Sequence, residues 1–281
     1  MADLDDMVQS VGADLLHRIE TDQLILPTLP EVALKVREAA TDADIDVAGL
    51  GRIIETDPAL SARIIRVANS PLLRASRVIE NLHSAVARLG IRYTCNLVTS
   101  LAMQQLFQAT SDAVDQRLRH TWSQATEVAG IAHVLARHYT SLQPDQATLA
   151  GIVHRIGVLP ILTHADEHRQ LLKDGEVLDA LIERLHPGLG QQILEAWEFP
   201  PELACVPREH LHFERRPDQP DYADLILVAN LQSLLGSEHP HARLDWDRIS
   251  AFARLGLAAE HDAPEMVDLS EEMAAASALL G

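Results

Sequence analysis

Histidine is the residue type with which this sequence could do the most chemistry. Fourteen are present, and a neutral imidazole is the commonest protein ligand for a transition metal. Spacing decides which of them could share an ion. His133 and His138 are five apart in one helical stretch, which puts them on different faces. His164 and His168 are four apart and could meet on one face. With no third ligand nearby in sequence, they read as a solvent-exposed pair. His210 and His212 flank Leu211 in a loop-like stretch; an H-x-H pair can hold a metal but is too common to carry an assignment. No H-E-x-x-H, Walker-type, G-x-G-x-x-G or G-x-S-x-G segment occurs, so the enzyme classes built on those motifs have no support. Cys95 and Cys205 are the two cysteines, too few for a disulfide framework or a cysteine zinc site, and they fit a reducing compartment.

The elements that must position these residues have helical spacing almost throughout. Leu29, Val32, Ala33 and Val36 share a face, and Thr28 with Glu31 has capping-box spacing, with Pro30 in the first turn. Asp46 begins a helix whose face is Val47, Leu50, Ile53 and Ile54. Asp57-Pro58 begins another, with the Asp57 carboxylate as cap, running until Asn69-Ser70-Pro71 stops it. Leu82, Ala85, Val86 and Leu89 form a fourth helix, closed by Gly90, and a longer one is predicted over 92–107. Ser111-Asp112 reads as the break between two helical halves. Helices follow over 122–139, 145–156 and 177–185, and His186-Pro187-Gly188 leads into 189–197. Residues 207–221 read as a loop or short linker, and 224–235 resumes helix. No period-two segment bounded by turn residues is found, so the fold class is all-α.

Composition narrows the partners. The 281 residues carry 23 Lys and Arg against 41 Asp and Glu, a net charge of −18. Such a chain repels polyphosphate, so neither nucleic acid nor an anionic membrane is an expected partner. No run reaches the ~18 apolar residues of a membrane span. The N-terminus is acidic, the reverse of a signal peptide. Beyond Arg254 no Lys or Arg occurs, while Glu260, Asp262, Glu265, Asp268, Glu271 and Glu272 accumulate; this run reads as a solvated terminal helix face.

The segment Ala150-Gly151-Ile152-Val153-His154-Arg155-Ile156-Gly157 resembles the second motif of the HD phosphohydrolase superfamily, where adjacent His and Asp hold a metal. Here Arg155 stands in the aspartate's place. The helix that carries the family's first histidine is matched by Trp122-Ser123-Gln124-Ala125, with Gln124 at the ligand position. The helix of its last aspartate is matched by Leu227-Val228-Ala229-Asn230-Leu231, with Asn230 there. One of four ligand positions survives. Leu26-Pro27-Thr28-Leu29-Pro30-Glu31, Ile54-Glu55-Thr56-Asp57-Pro58-Ala59-Leu60, Val67-Ala68-Asn69-Ser70 and Ala85-Val86-Ala87-Arg88-Leu89-Gly90 are similar to the HDOD family, the HD-related output domain of bacterial signalling proteins. His186-Pro187 and His210 extend the likeness into the second half. The resemblance implies an N-terminal helical bundle packed on an HD-like bundle, a bacterial regulatory role and no established catalysis. The His-His-Glu and Gly-Tyr-Pro segments of the HD-GYP phosphodiesterases are not supplied by 210–217.

A hydrolytic metal needs several anionic or neutral donors in one shell. Gln124 and Asn230 are weak amide donors, and Arg155 has no lone pair and stays cationic. The expected molecule is therefore a non-catalytic cytoplasmic module that acts through contacts with signalling proteins and needs no cofactor. Its domains are an extension over 1–19, the HDOD region over 20–235 divided at 110, and a C-terminal extension over 236–281; neither extension is long enough for a receiver or kinase domain. Two alternatives stand beside it. One is a sensor of a small anionic ligand in the former HD cleft, lined by Gln124, His154, Arg155, His186, His210 and Asn230. The other is a divergent metal phosphohydrolase using His154, His186 and His210. Arg155 is expected to replace the metal's charge, bonding oxygens of Gln124 or Asn230 and the carboxylate of Glu127, one turn after Gln124.

Overall fold

A computed structural model describes residues 2–21, 26–73, 78–109, 111–257 and 269–280. Among them there is no strand, and the fold is all-α. The first helix, α1 (Ala2–Glu20), lies against the second half of the chain. The N-terminal half proper is α2 (Glu31–Thr41), α3 (Val47–Ile54), α4 (Pro58–Ala68), α5 (Leu82–Leu89) and α6 (Ile91–Ala102). Local signals start three of these helices. Asp46 accepts from the Gly49 amide at 2.6 Å, Asp57 from Leu60 at 3.0 Å and Asn81 from Ser84 at 2.9 Å, each satisfying a first-turn donor that the helix itself leaves free. Pro58 occupies the first turn of α4, as expected. Asn69 ends α4 by donating to Ile65 O and Ile79 O and accepting from Ile79 N.

Several boundaries differ from the sequence reading. No Thr28 cap forms: α2 starts at Glu31 with Pro30 in the cap position and no side-chain bond, and Glu31 pairs with Lys35 at 2.6 Å instead. The helix expected over 92–107 is α6 followed by a 3-10 turn, Met103–Leu106.

The second half is built on α7 (Asp112–Tyr139), which starts ten residues earlier than expected, directly at the Ser111-Asp112 break. Against it pack α8 (Pro144–Val153), α9 (Val158–Glu167) and α14 (Tyr222–Ser233). Between α9 and α14 run α10 (Arg169–Lys173), α11 (Gly175–Ala196), α12 (Pro201–Ala204) and α13 (Val206–Glu209). The break expected at His186-Pro187-Gly188 does not occur. Pro187 lies inside α11; it removes one main-chain donor, but Ile182, His186, Leu189 and Gly190 on either side are buried, and that packing holds the helix through. The loop expected over 207–221 begins with α13 and only then loses helical form.

Two glycines of the 150–157 segment allow its close packing. A Cβ on Gly151 would lie 2.4 Å from the Ala129 Cα on α7, and one on Gly157 would lie 2.1 Å from the His186 carbonyl oxygen. The first lets α8 cross α7 backbone to backbone, and the second seats the turn after α8 on α11. The stretch 144–167 has the length and apolarity of a membrane-crossing helix, yet it is α8 and α9 with a break between them, and 83% of its most apolar 18-residue window is buried in the protein.

The chain closes with α15 (Ser250–Arg254) and α16 (Ser270–Ala278), the latter lying along α7. Of the acidic run, Glu260, Asp262, Glu265 and Asp268 lie outside the described residues. Glu271 is exposed, whereas Glu272 accepts from Arg137 and pairs with His138, both at 3.0 Å, so part of that face is a docking contact. A continuous set of buried apolar side chains runs from Val8 to Leu280, with α6 seated between α2 and α8.

Candidate functional site

The turn between α8 and α9 brings His154 into a wholly buried position. His186 on α11 and His210 at the end of α13 are buried beside it. The His154 and His210 ring centres are 5.0 Å apart and nearly perpendicular; those of His186 and His210 are 5.9 Å apart. Each Nδ1 faces a main-chain carbonyl: Gly151 O at 2.6 Å for His154, Ile182 O at 2.7 Å for His186, and Val206 O and Pro207 O at 3.1 and 2.9 Å for His210. A carbonyl only accepts, so each Nδ1 carries the proton and, in the neutral ring, each Nε2 holds a lone pair. For His154 and His186 that Nε2 is buried without a hydrogen-bond partner.

The rings are held neutral. Burial pushes His154 and His186 well below the ordinary histidine value, and His210 down to about 3. After burial, the largest contribution is the positive charge of Arg155 for His186 and His210, while for His154 it is His210.

Arg155 also lies on the wall of a cavity of about 910 Å³, which Gln124, Arg117, Asp179, Glu183 and His241 line with it. Its guanidinium donates to Glu183 Oε1 at 3.4 Å. Glu127, the expected partner, is exposed on α7. The reason is register: Glu183 stands one turn before His186 on α11, and Gly157 presses the 154–157 turn onto that same helix. Among the six expected site residues, then, His154, His186 and His210 cluster in the interior, and Gln124 and Arg155 face the cavity. Asn230 is buried on α14 and is not part of the cavity wall.

The other histidine readings divide as well. His133 and His138 do face different ways, toward Thr148 and Glu272 respectively. His164 and His168 stack at 4.1 Å, but His164 is buried and not exposed: Arg18 of α1 donates to its Nδ1 at 2.9 Å. His210 and His212 do not converge, since His210 turns inward while the mostly exposed His212 faces Glu209. Among the described residues, three ligand atoms come within 4.8 Å of one another in two places, His164 with Glu167 and His168, and Glu183 with His239 and His241. The buried trio is not one of them. The His239-Pro240-His241 pattern was the available signal for the second group; the carboxylate that completes it comes from another helix.

A hydrolytic metal of the HD type does not fit these residues. One histidine of the four ligand positions remains, the two amides are poor donors, and the aspartate's place projects a cation.

The HDOD domain model matches residues 26–213. This chain belongs to the HDOD family. Among solved structures, a protein of Shewanella amazonensis SB2B, provisionally named a metal-dependent phosphohydrolase, is 31% identical with a TM-score of 0.85, over 98% of this chain and 100% of that one. An HDOD domain protein of unknown function from Geobacter sulfurreducens is 20% identical with a TM-score of 0.62, over 96% and 97% of the two chains. A Marinobacter aquaeolei VT8 protein, provisionally named a signal transduction protein, is 22% identical with a TM-score of 0.62, over 96% and 66%; these two likenesses speak for the fold alone. An uncharacterised protein of Treponema pallidum (strain Nichols) is 24% identical in an alignment 262 residues long that covers 86% of this HDOD chain and 48% of that protein. The chain thus spans about half the length of the curated relative it matches. Membership of the HDOD family fits a regulatory or HD-type role.

Proposed function

We propose that this HDOD chain is a regulatory module that acts through protein contacts and hydrolyses nothing at its HD-like site. The observation that carries this reading is the Arg155 guanidinium, whose charge bears on His186 and His210 and whose hydrogen bond goes to Glu183. A divalent ion beside the three rings would meet a fixed positive charge where the hydrolytic enzymes offer a carboxylate. A reducing bacterial cytoplasm belongs to the same reading, supported by the free thiols of Cys95 and Cys205.

The test combines metal analysis of the purified chain with hydrolysis assays on nucleotides and cyclic dinucleotides. The expected result is no turnover and no metal whose retention depends on His154. Turnover that His154→Ala abolishes overturns the proposal.

A second reading has its own support. The cavity is of nucleotide size, and Arg117, Arg155, His120 and Gln124 on its wall could hold a small anion. Thermal-shift screening with nucleotides separates the two: a shift lost in Arg155→Gln favours a ligand sensor.

A further inference from the structure

We propose that Glu183, His239 and His241 form a binding site for a late first-row transition ion, zinc foremost, on the cavity wall and outside the degraded HD positions. Two separate elements build it. Glu183 comes from the unbroken middle of α11, and the histidines from the 3-10 turn Pro240–Arg243 and the residue before it. All three side chains are half-buried and line the same cavity. Their ligand atoms lie within 4.8 Å of one another. Ligands around a tetrahedral zinc stand about 3.4 Å apart, so rotation of side chains closes the gap without moving a helix.

The donor chemistry suits this class of ion. Two imidazoles and one carboxylate match zinc and its neighbours rather than calcium or magnesium, which take oxygen. Glu183 meets Arg155 through Oε1 alone, at 3.4 Å, so Oε2 remains for the ion. His239 Nδ1 accepts from the His241 amide at 3.2 Å. Ligation through Nδ1 replaces that bond, and ligation through Nε2 moves the ring proton to Nδ1 and breaks it, so in either case the ion reshapes the turn. Three protein ligands leave a further position open to the cavity. Each candidate group has one guanidinium beside it, but Arg155 bonds a single ligand, Glu183 Oε1, at 3.4 Å, whereas Arg18 bonds both His164 and Glu167, at 2.9 and 3.1 Å, so the group of His164, Glu167 and His168 is less suited.

The inference stands whether or not the HD-like site is inert. Its test is titration of the tag-free full chain with Co²⁺, followed by its visible d–d absorption, and competition by Zn²⁺. One ion per chain is expected, with affinity falling at least about tenfold in each of His239→Ala, His241→Ala and Glu183→Gln. His164→Ala and His168→Ala should leave it unchanged. The two histidine variants lie on a surface turn, and a thermal melt confirms that they fold. Absence of binding, binding indifferent to all three variants, or binding lost in His164→Ala overturns the proposal. An ion lost instead with His154→Ala overturns it and the preceding reading together.

Discussion

Three buried neutral histidines around one arginine make the molecule's acid response a property of single residues. Arg155, His154, His186 and His241 are the charged or titratable groups that bear on His210. In the unfolded chain each ring takes a proton near 6.5, whereas in the fold His210 does so only at about 3 and His133 at about 4, with His154 and His186 also held well down. The unfolded state therefore binds more protons as the solution becomes acid. The neutral rings cost nothing above 6.5; below it stability is lost progressively toward the folded values, by up to about 1.4 kcal/mol per pH unit for each ring. We expect the melting temperature to drop steadily from pH 7 to pH 5, a range above most carboxylate titrations. A flat profile over that range would show that these rings are not buried and neutral.

At the scale of elements, two glycines in helices have opposite meanings. Gly151 is where α8 meets the backbone of α7, and the Cβ of an alanine there would sit 2.4 Å from the Ala129 Cα and 2.7 Å from its amide nitrogen. No side chain can rotate away to relieve it, so Gly151→Ala should force the helices apart and cost about 1–3 kcal/mol. Gly188 sits on the exposed side of α11 with no atom within 4 Å of where a Cβ would be. Gly188→Ala should leave stability unchanged or raise it by up to about 1 kcal/mol, through the lower conformational freedom of the unfolded chain. Denaturant melts of the two variants settle it: equal effects would mean that α7 and α8 do not cross this closely.

Across the whole molecule, the two halves share one interior. On α6, Leu97, Val98 and Leu101 are buried, and the helix lies between α2 and α8. Removing residues 1–110 would strip that helix from α8 and leave its apolar partners in water, where patches of this kind drive association. Residues 111–281 expressed alone should therefore be poorly soluble, without a cooperative melt. A monomeric fragment with a sharp transition would argue that the α6 contact contributes little.

The amino-acid sequence by itself determined the helical class, the start of α3 and α4 at Asp46 and Asp57, and the family. Each of these is local, since a cap acts within three residues of its helix start, and a family pattern is carried by order along the chain. Tertiary structure decided where the side chains of the site point. Glu183, and not Glu127, became the partner of Arg155 because α11 and the 154–157 turn pack through Gly157. His239 and His241 met a carboxylate more than fifty residues earlier in the chain. Pro187 stayed inside a helix, against its local preference, because buried neighbours on both sides hold α11 together. The reach of a cap is set by bonded geometry, whereas the meeting of distant side chains depends on how whole helices cross, and that is fixed only when their apolar faces are buried together.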